Sequence, residues 1–153
     1  MMRRDLLATT LLTAAGPALA QRGERVEVWL DPNCGCGPPW IAHLRAAGFA
    51  AEDRVVAFVA TFRRMLGPPA DLLSCHAARV ASLGLEGHAP AQANRRLLAD
   101  RPAGIVGLAV SAMPLGSPGM EVPGRQPDIY DAIAWRTDGT HEPFMRFVGA
   151  QPA

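Results

Sequence analysis

The sequence predicts a single α/β domain, and three consecutive features near its start support that class. Residues 25–30 alternate polar and apolar side chains, as expected of a half-buried strand. Two cysteines separated by one glycine, Cys34 and Cys36, follow this strand directly. A Pro-Pro pair at residues 38–39 then suits the first turn of a helix, where a missing N–H group costs nothing. Strand, thiol loop and helix in this order are typical of the opening of a thioredoxin-like unit.

The rest of the chain extends this opening into a predicted thioredoxin-like βαβ…ββα core, followed by a Gly/Pro loop and a C-terminal β-hairpin. The first helix is expected to end at Gly48, a common stop residue. After it we expect the following elements: a second strand within 54–60, short helical turns at 62–66 and near Asp71, a hairpin over 77–85, a helix from Pro90 to before Pro102, a Gly/Pro-rich loop over 104–120, a strand over 128–136, a turn at Asp138-Gly139 and a returning strand over 144–148.

Residues 1–20 have the layout of an export signal. Arg3 and Arg4 precede an apolar stretch over 6–19, and Ala18-Leu19-Ala20 fits a small-x-small cleavage site. The apolar stretch is too short and too interrupted for a membrane-spanning helix. The two arginines leave both the twin-arginine and the Sec export routes open. We expect residues 1–20 to be removed and residues 21–153 to form one periplasmic domain.

The charge of the mature chain points to no polyanionic partner. Removing the predicted signal leaves 13 basic and 13 acidic side chains, and every basic residue is an arginine. These arginines are scattered along the chain, so neither nucleic acid nor an anionic membrane surface is an expected partner. Beyond the signal, the sequence also predicts no membrane span.

The cysteine count favours a metal site or a reactive thiol. The chain has three cysteines, and one disulfide would leave a thiol free, which argues against a purely structural crosslink. Cys34 and Cys36 have one intervening residue, whereas thioredoxin-type redox enzymes use two. Two thiolates this close suit either one shared ion or a bridge between neighbouring ions, and thiolates favour Cu(I) or Zn. The alternative is that the two cysteines are unrelated members of a turn.

The third cysteine, Cys75, precedes His76 at the predicted start of the hairpin. In a thioredoxin-like layout this position faces the thiol loop, so the three sulfurs would converge. A lone cysteine is more commonly a buried structural residue, and that alternative stays open. His76 would either offer a ring nitrogen to the site or point away from it.

Further candidate ligands are less specific. His88 would be a fourth ligand or a cap for the next helix. Met113 and Met120 flank the Gly/Pro loop, and their thioethers would either bind Cu(I) or fill the core. His43 fits a half-exposed helix position, and His141 is expected at the surface.

Taken together, these motifs resemble domain-of-unknown-function family 411, which includes CopG-type periplasmic copper-resistance proteins. The resemblance runs from about residue 26 to residue 135. It is carried by the following segments: Cys34-Gly35-Cys36, Trp40, His43-Leu44, Leu73-Ser74-Cys75-His76, Leu85-Glu86-Gly87-His88-Ala89-Pro90-Ala91, Arg96-Leu97-Leu98, Gly107-Leu108-Ala109-Val110, Met113-Pro114-Leu115-Gly116-Ser117-Pro118-Gly119-Met120-Glu121 and the strand at Tyr130.

The resemblance implies a thioredoxin-like fold, periplasmic export and cysteine-bound copper. Cys34, Cys36 and Cys75 match the family's metal cysteines by position. The family pattern is Cys-Gly-Cys-Cys, however, and this chain has Gly37 in place of the third loop cysteine. A four-cysteine cluster is therefore in doubt. A three-sulfur site and a member that has lost metal binding both remain open.

Three functions follow as hypotheses. The first is a periplasmic copper-binding protein for copper resistance or handling, which would bind Cu(I), or alternatively Zn, and exchange it with other periplasmic copper-handling proteins. Its candidate ligands are Cys34, Cys36, Cys75, His76, His88, Met113 and Met120. The second is a thiol or copper oxidoreductase. The third is a structural relic in which Cys34 or Cys36 forms a disulfide with Cys75.

Overall fold

A computed structural model describes residues 23–153 as a mixed α/β domain built on one eight-stranded sheet. The predicted α/β class is confirmed. The predicted export signal at residues 1–20 lies outside the described residues. Within residues 23–153, no helix has the length and apolar character needed to cross a membrane.

The elements follow one another in a βαβ unit, a hairpin with a helix, and a C-terminal run of strands. The strands are β1 Arg25–Leu30, β2 Ala50–Val55, β3 His76–Val80, β4 Leu83–Gly87, β5 Ile105–Val110, β6 Ile129–Arg136, β7 His141–Val148 and β8 Gln151–Pro152. The helices are α1 Gly37–Ala46, α2 Val59–Leu66 and α3 Ala91–Asp100, with a 3₁₀ turn at Ala70–Leu72. The sheet order is β2-β1-β3-β4-β5-β6-β7-β8. Among the strand pairs within residues 23–153, only β1–β2 and β4–β5 are parallel.

Both faces of β1 are covered, as its alternation and its tryptophan predict. Val26 and Val28 lie in the main core, in the same cluster as Trp40 of α1. On the opposite face, Trp29 is 4% exposed and stacks on Phe62 of α2 with ring centroids 4.8 Å apart. Burying side chains of this size contributes about 1.5–3 kcal/mol each. β1 is thereby fixed firmly between two helices, and its C-terminal end leads directly into the thiol loop.

The second strand lies earlier than predicted. We expected it within residues 54–60, but β2 spans residues 50–55 and α2 begins at Val59. Gly48, with φ of +89°, ends α1 and turns the chain so that Ala50 can pair with Arg25. β2 is an edge strand with mostly exposed side chains, among them Glu52. Its charged sequence lacks the apolar pattern that would have marked it.

A second difference lies in the predicted Gly/Pro loop, whose first part is strand β5 inside the sheet. The glycine at residue 107 is the reason why this segment was predicted to be a loop. A Cβ atom at this position would overlap the ring of Trp135, which is fully buried on β6. The glycine therefore makes room for a large side chain on the neighbouring strand, which is a known use of glycine inside sheets.

Gly107→Ala is expected to lower the free energy of unfolding by about 1–3 kcal/mol, because the added methyl group overpacks the core against Trp135. Denaturant unfolding of the reduced protein measures this change. Gly35→Ala is the matched control, since a Cβ there meets nothing within 4 Å. Equal effects of the two substitutions would contradict the packing role of Gly107.

Candidate metal centre

The loop between β1 and α1 is folded by local backbone contacts. The N–H group of Asn33 donates to the Asp31 carboxylate at 2.9 Å, and the N–H group of Cys34 donates to the Asp31 carbonyl at 2.9 Å. The N–H group of Gly35 donates to the Asn33 carbonyl at 3.0 Å. Cys36 then stands immediately before the first residue of α1. These tight turns bring Cys34 and Cys36 to the same side of the loop.

The three cysteine sulfurs lie together. The Cys36 sulfur is 3.3 Å from that of Cys75 and 3.7 Å from that of Cys34. Cys34 and Cys75 are joined as a disulfide with their Cα atoms 5.6 Å apart, and Cys36 is the free thiol. Burial raises the pKa of the Cys36 thiol. The loop cysteines and Cys75 thus form one cluster that is only partly open to solvent.

His76 adds a nitrogen donor to this cluster. Its Nδ1 atom is 3.5 Å from the Cys34 sulfur and 3.8 Å from the Cys75 sulfur. Its Nε2 atom is 3.0 Å from the carbonyl of Gly87, which can only accept, so Nε2 carries the proton and Nδ1 presents a lone pair. Burial is the main cause that lowers the pKa of His76 to about 4. The imidazole is therefore neutral at pH 7. The four donor atoms all lie within 4.8 Å of one another.

The end of β4 supports His76 from behind. Gly87 has φ of +64°, and a Cβ there would overlap the carbonyl of Val110, so only glycine fits this turned backbone. The ring of His88 contacts that of His76 edge-on at a centroid distance of 5.3 Å. His88 is fully buried, and its Nδ1 donates to the Pro118 carbonyl at 2.8 Å. The structure thus places His88 against the ring of His76, outside the group of four donor atoms.

Two residues that lie behind the site, Glu86 and Arg63, were not identified as functional from the sequence. Glu86 is fully buried and forms an ion pair with Arg63 of α2. Burial raises the pKa of the Glu86 carboxyl, which the Arg63 guanidinium opposes. The available signal was a glutamate between Leu85 and Gly87 at the apolar end of a predicted hairpin. A charged residue at such a position needs a buried partner.

The two methionines lie in different places. Met113 is half exposed and, with Leu73 and Ala112, lines the open groove that leads to the three sulfurs. Met120 is held in a turn by its backbone, which donates to the Ser117 carbonyl at 2.7 Å. Met120 does not line the groove. The structure therefore brings Met113, and not Met120, to the mouth of the site.

The remaining histidines have partners elsewhere. The Nε2 atom of His43 accepts a hydrogen bond from the N–H group of Ala91 at 3.1 Å, which caps the start of α3. His141 lies 3.0 Å from the Asp71 carboxylate near the surface. Neither belongs to the four-donor group.

Comparison with known proteins gives two kinds of match. The family described as "Protein of unknown function, DUF411" matches residues 72–120, which include Cys75, His76 and the support on β4. No curated protein matches the chain. Two solved structures do, titled "Copper resistance protein copG- Form 1" and "Copper resistance protein copG- Form 2".

Both structural matches cover nearly the whole relative. Form 1 is 36% identical, with a TM-score of 0.75, and the match covers 83% of this chain and 99% of the relative. Form 2 is also 36% identical, with a TM-score of 0.74 and coverage of 82% and 98%. The chain therefore belongs to the DUF411 family of CopG-type proteins.

Proposed function

We propose that this chain is a periplasmic copper-binding protein that serves copper resistance or handling. It would hold one Cu(I) between the sulfurs of Cys34, Cys36 and Cys75 and the Nδ1 atom of His76. The single observation that carries the proposal is that three sulfur atoms and one imidazole nitrogen lie within 4.8 Å of one another. The titles of its solved relatives support copper as the metal.

The spacing of the donors fits one ion. Metal–thiolate bonds of about 2.3 Å place two sulfurs of one tetrahedral centre about 3.8 Å apart. The observed separations from Cys36, 3.3 and 3.7 Å, are close to this value. The disulfide between Cys34 and Cys75 must be reduced first, because thiolates are the ligands. Zn(II) is the competing ion, since three sulfurs and one nitrogen also suit a tetrahedral zinc site.

The replacement of the family's third loop cysteine favours one ion over a cluster. A Cβ at Gly37 would lie 3.4 Å from the Cys34 sulfur, so this position borders the site. The same Cβ would overlap the end of the Leu30 side chain. An apolar group thus occupies the space that the Cβ atom of a cysteine at residue 37 would need.

The other candidate ligands take different parts in this proposal. Met113 would meet Cu(I) at the groove mouth before it reaches the thiolates, since a thioether is a soft, uncharged donor. His88 would keep the His76 ring in place rather than bind the ion. Met120 is left out of the proposed ligand set because it does not line the groove.

We also propose the thioredoxin-like type of core that the sequence predicts. Support comes from the βαβ unit and the hairpin, whose strands lie in the order β2-β1-β3-β4. The thiol loop follows β1, and Cys75 immediately precedes β3. Periplasmic location rests on the predicted signal at residues 1–20.

A second candidate function is thiol–disulfide exchange, and the Cys34–Cys75 disulfide favours it. The Cys36 thiolate, 3.3 Å from the Cys75 sulfur, would attack that sulfur and release the Cys34 thiolate, with no net oxidation. An insulin-reduction assay with a supplied dithiol separates the two functions. Multiple turnovers support the exchange enzyme, whereas a copper binder shows none.

Removing one sulfur is expected to weaken copper binding strongly. Cys75→Ser should reduce the Cu(I) affinity of the reduced protein by about 100-fold or more, because a hydroxyl is a poor ligand for a soft ion. Competition with a chromophoric Cu(I) chelator under anaerobic conditions measures this. Ser82→Ala, an exposed change at the other end of the β3–β4 hairpin, is the control. Unchanged affinity in Cys75→Ser would remove this cysteine from the site.

Restoring the family's third loop cysteine is expected to raise the copper capacity. The reduced wild-type protein should bind about one Cu(I), whereas Gly37→Cys combined with Leu30→Val should bind more than one. The valine shortens the side chain that a Cβ at residue 37 would overlap. Copper analysis after desalting gives the stoichiometry. Several tightly bound ions in the wild-type protein would contradict the single-ion proposal.

The neutral state of His76 predicts a pH dependence of stability. Its pKa falls from 6.5 in the unfolded chain to about 4 in the folded one, so the unfolded chain binds the proton more readily. Stability is therefore lost as the pH falls from about 6.5 toward 4. Relative to His76→Gln, the wild type should lose up to about 1.4 kcal/mol more per pH unit in this window.

Denaturant unfolding of the reduced, metal-free proteins between pH 7 and pH 4.5 measures this difference. His141→Gln serves as the control, because that histidine lies near the surface beside Asp71. Parallel stability curves for the wild type and His76→Gln would contradict a neutral, buried imidazole at the site.

A further inference from the structure

We propose that the buried ion pair between Arg63 and Glu86 is a positioning device that holds Cys75 at the three-sulfur site. This inference rests on the proposed function, because the role that it assigns to Arg63 and Glu86 is to support the proposed metal site. Neither residue belongs to the group of four donors.

The pair is two-pronged and lies almost wholly inside the protein. The Nε atom of Arg63 donates to Oε1 of Glu86 at 2.6 Å, and its Nη2 atom donates to Oε2 at 3.1 Å. The exposed side-chain fraction is 15% for Arg63 and 0% for Glu86. Bidentate arginine–carboxylate contacts fix the direction of both groups as well as their distance.

Both members of the pair also form hydrogen bonds with the backbone of Ser74, the residue before Cys75. The Nη2 atom of Arg63 donates to the carbonyl of Ser74 at 2.5 Å. The Oε2 atom of Glu86 accepts from the N–H group of Ser74 at 3.1 Å. The two backbone polar groups of one residue are thus held by opposite charges, and the Ser74 carbonyl belongs to the peptide bond that joins Ser74 to Cys75.

These hydrogen bonds to Ser74 lie just beyond the point where the hydrogen-bonded pairing of β3 with β4 ends. The register of β3 with β4 ends at the pair Ala77–Glu86, so the β4 ladder does not reach Ser74 and Cys75. On the other side, the carbonyl of Cys75 accepts from the N–H group of Asp31 at 3.2 Å. The Cys75 carbonyl is therefore held by the residue that follows β1, and the preceding residue, Ser74, is held by the ion pair between α2 and β4.

Stability alone is a weak reason for such a pair. Moving two charges out of water costs several kcal/mol per ion, and well-packed apolar residues often stabilise a core equally well. Apolar residues cannot hydrogen-bond a carbonyl and an N–H group that lie beyond the ladder. The charged pair satisfies both groups and at the same time fixes the backbone that carries the third sulfur.

Loss of the hydrogen bonds from Arg63 and Glu86 to Ser74 is expected to weaken copper binding, because Cys75 would no longer be held in place. Residues that orient metal ligands typically change metal affinity by about 10–100-fold when they are substituted. Glu86→Gln keeps the shape of the side chain but removes its charge and one of its two acceptor oxygens. Arg63→Lys keeps the charge but cannot make the same set of directed contacts.

The test is a double-mutant cycle on Cu(I) affinity, measured with the reduced full-length protein by chelator competition. Glu86→Gln should weaken binding about 10-fold or more in the wild-type background. In the Cys75→Ser background it should add less than about 2-fold, because the ligand that it positions is already gone. If Glu86→Gln does not fold, Arg63→Lys takes its place in the same cycle. Glu27→Gln is the matched control, since it breaks the surface pair with Arg79 away from the site.

The cycle separates the two proposals. If Glu86→Gln weakens binding equally in both backgrounds, or in neither, the positioning role is overturned. If Cys75→Ser itself binds Cu(I) as tightly as the wild type, the proposed three-sulfur site fails first. A loss confined to the background that retains Cys75, with Glu27→Gln unchanged, supports the positioning role.

Discussion

The antiparallel pairing of β1 with β3 is the contact on which the site depends. It sets Leu30, the last residue of β1, opposite His76, the first residue of β3. The thiol loop leaves one strand at this point and Cys75 enters the other, so residues some forty positions apart meet at one sheet edge. Side chains on both faces of β1 are buried against helices, so the strand that leads into the thiol loop is packed between α1 and α2. A shift of this register by one residue would turn the His76 side chain to the other face of the sheet.

The end of β4 gives the site its second layer. Three consecutive residues act on three different groups: Glu86 holds the backbone of Ser74, the Gly87 carbonyl fixes the proton of His76, and the His88 ring packs against the His76 ring. The site thus consists of sulfur and imidazole donors, with a layer of polar residues from β4 and its C-terminal end packed against them. Such layers orient ligands, and their loss weakens metal sites even though they never touch the ion.

Sequence reasoning predicted the elements with strong local patterns. The alternation of β1, the prolines of α1 and the Asp138-Gly139 turn all led to the observed elements. It placed β2 too late in the chain, because the exposed charged side chains of this strand give no apolar pattern. It missed β5, because the glycine at residue 107 is explained only by Trp135 on the neighbouring strand. Cys34, Cys36 and Cys75 could be chosen because cysteine chemistry is visible in the sequence. The proposed role of Arg63 could not be predicted from the sequence, because tertiary packing brings it to Glu86 and Ser74.

We propose that one Cu(I) ion is bound by the three sulfurs that the fold brings together. Copper K-edge X-ray absorption of the reduced protein, loaded with one equivalent of Cu(I), measures the number and type of neighbouring atoms most directly. The structure predicts three sulfur neighbours and one imidazole nitrogen. A coordination shell with one sulfur or none, or one made only of nitrogen and oxygen, would contradict the claim.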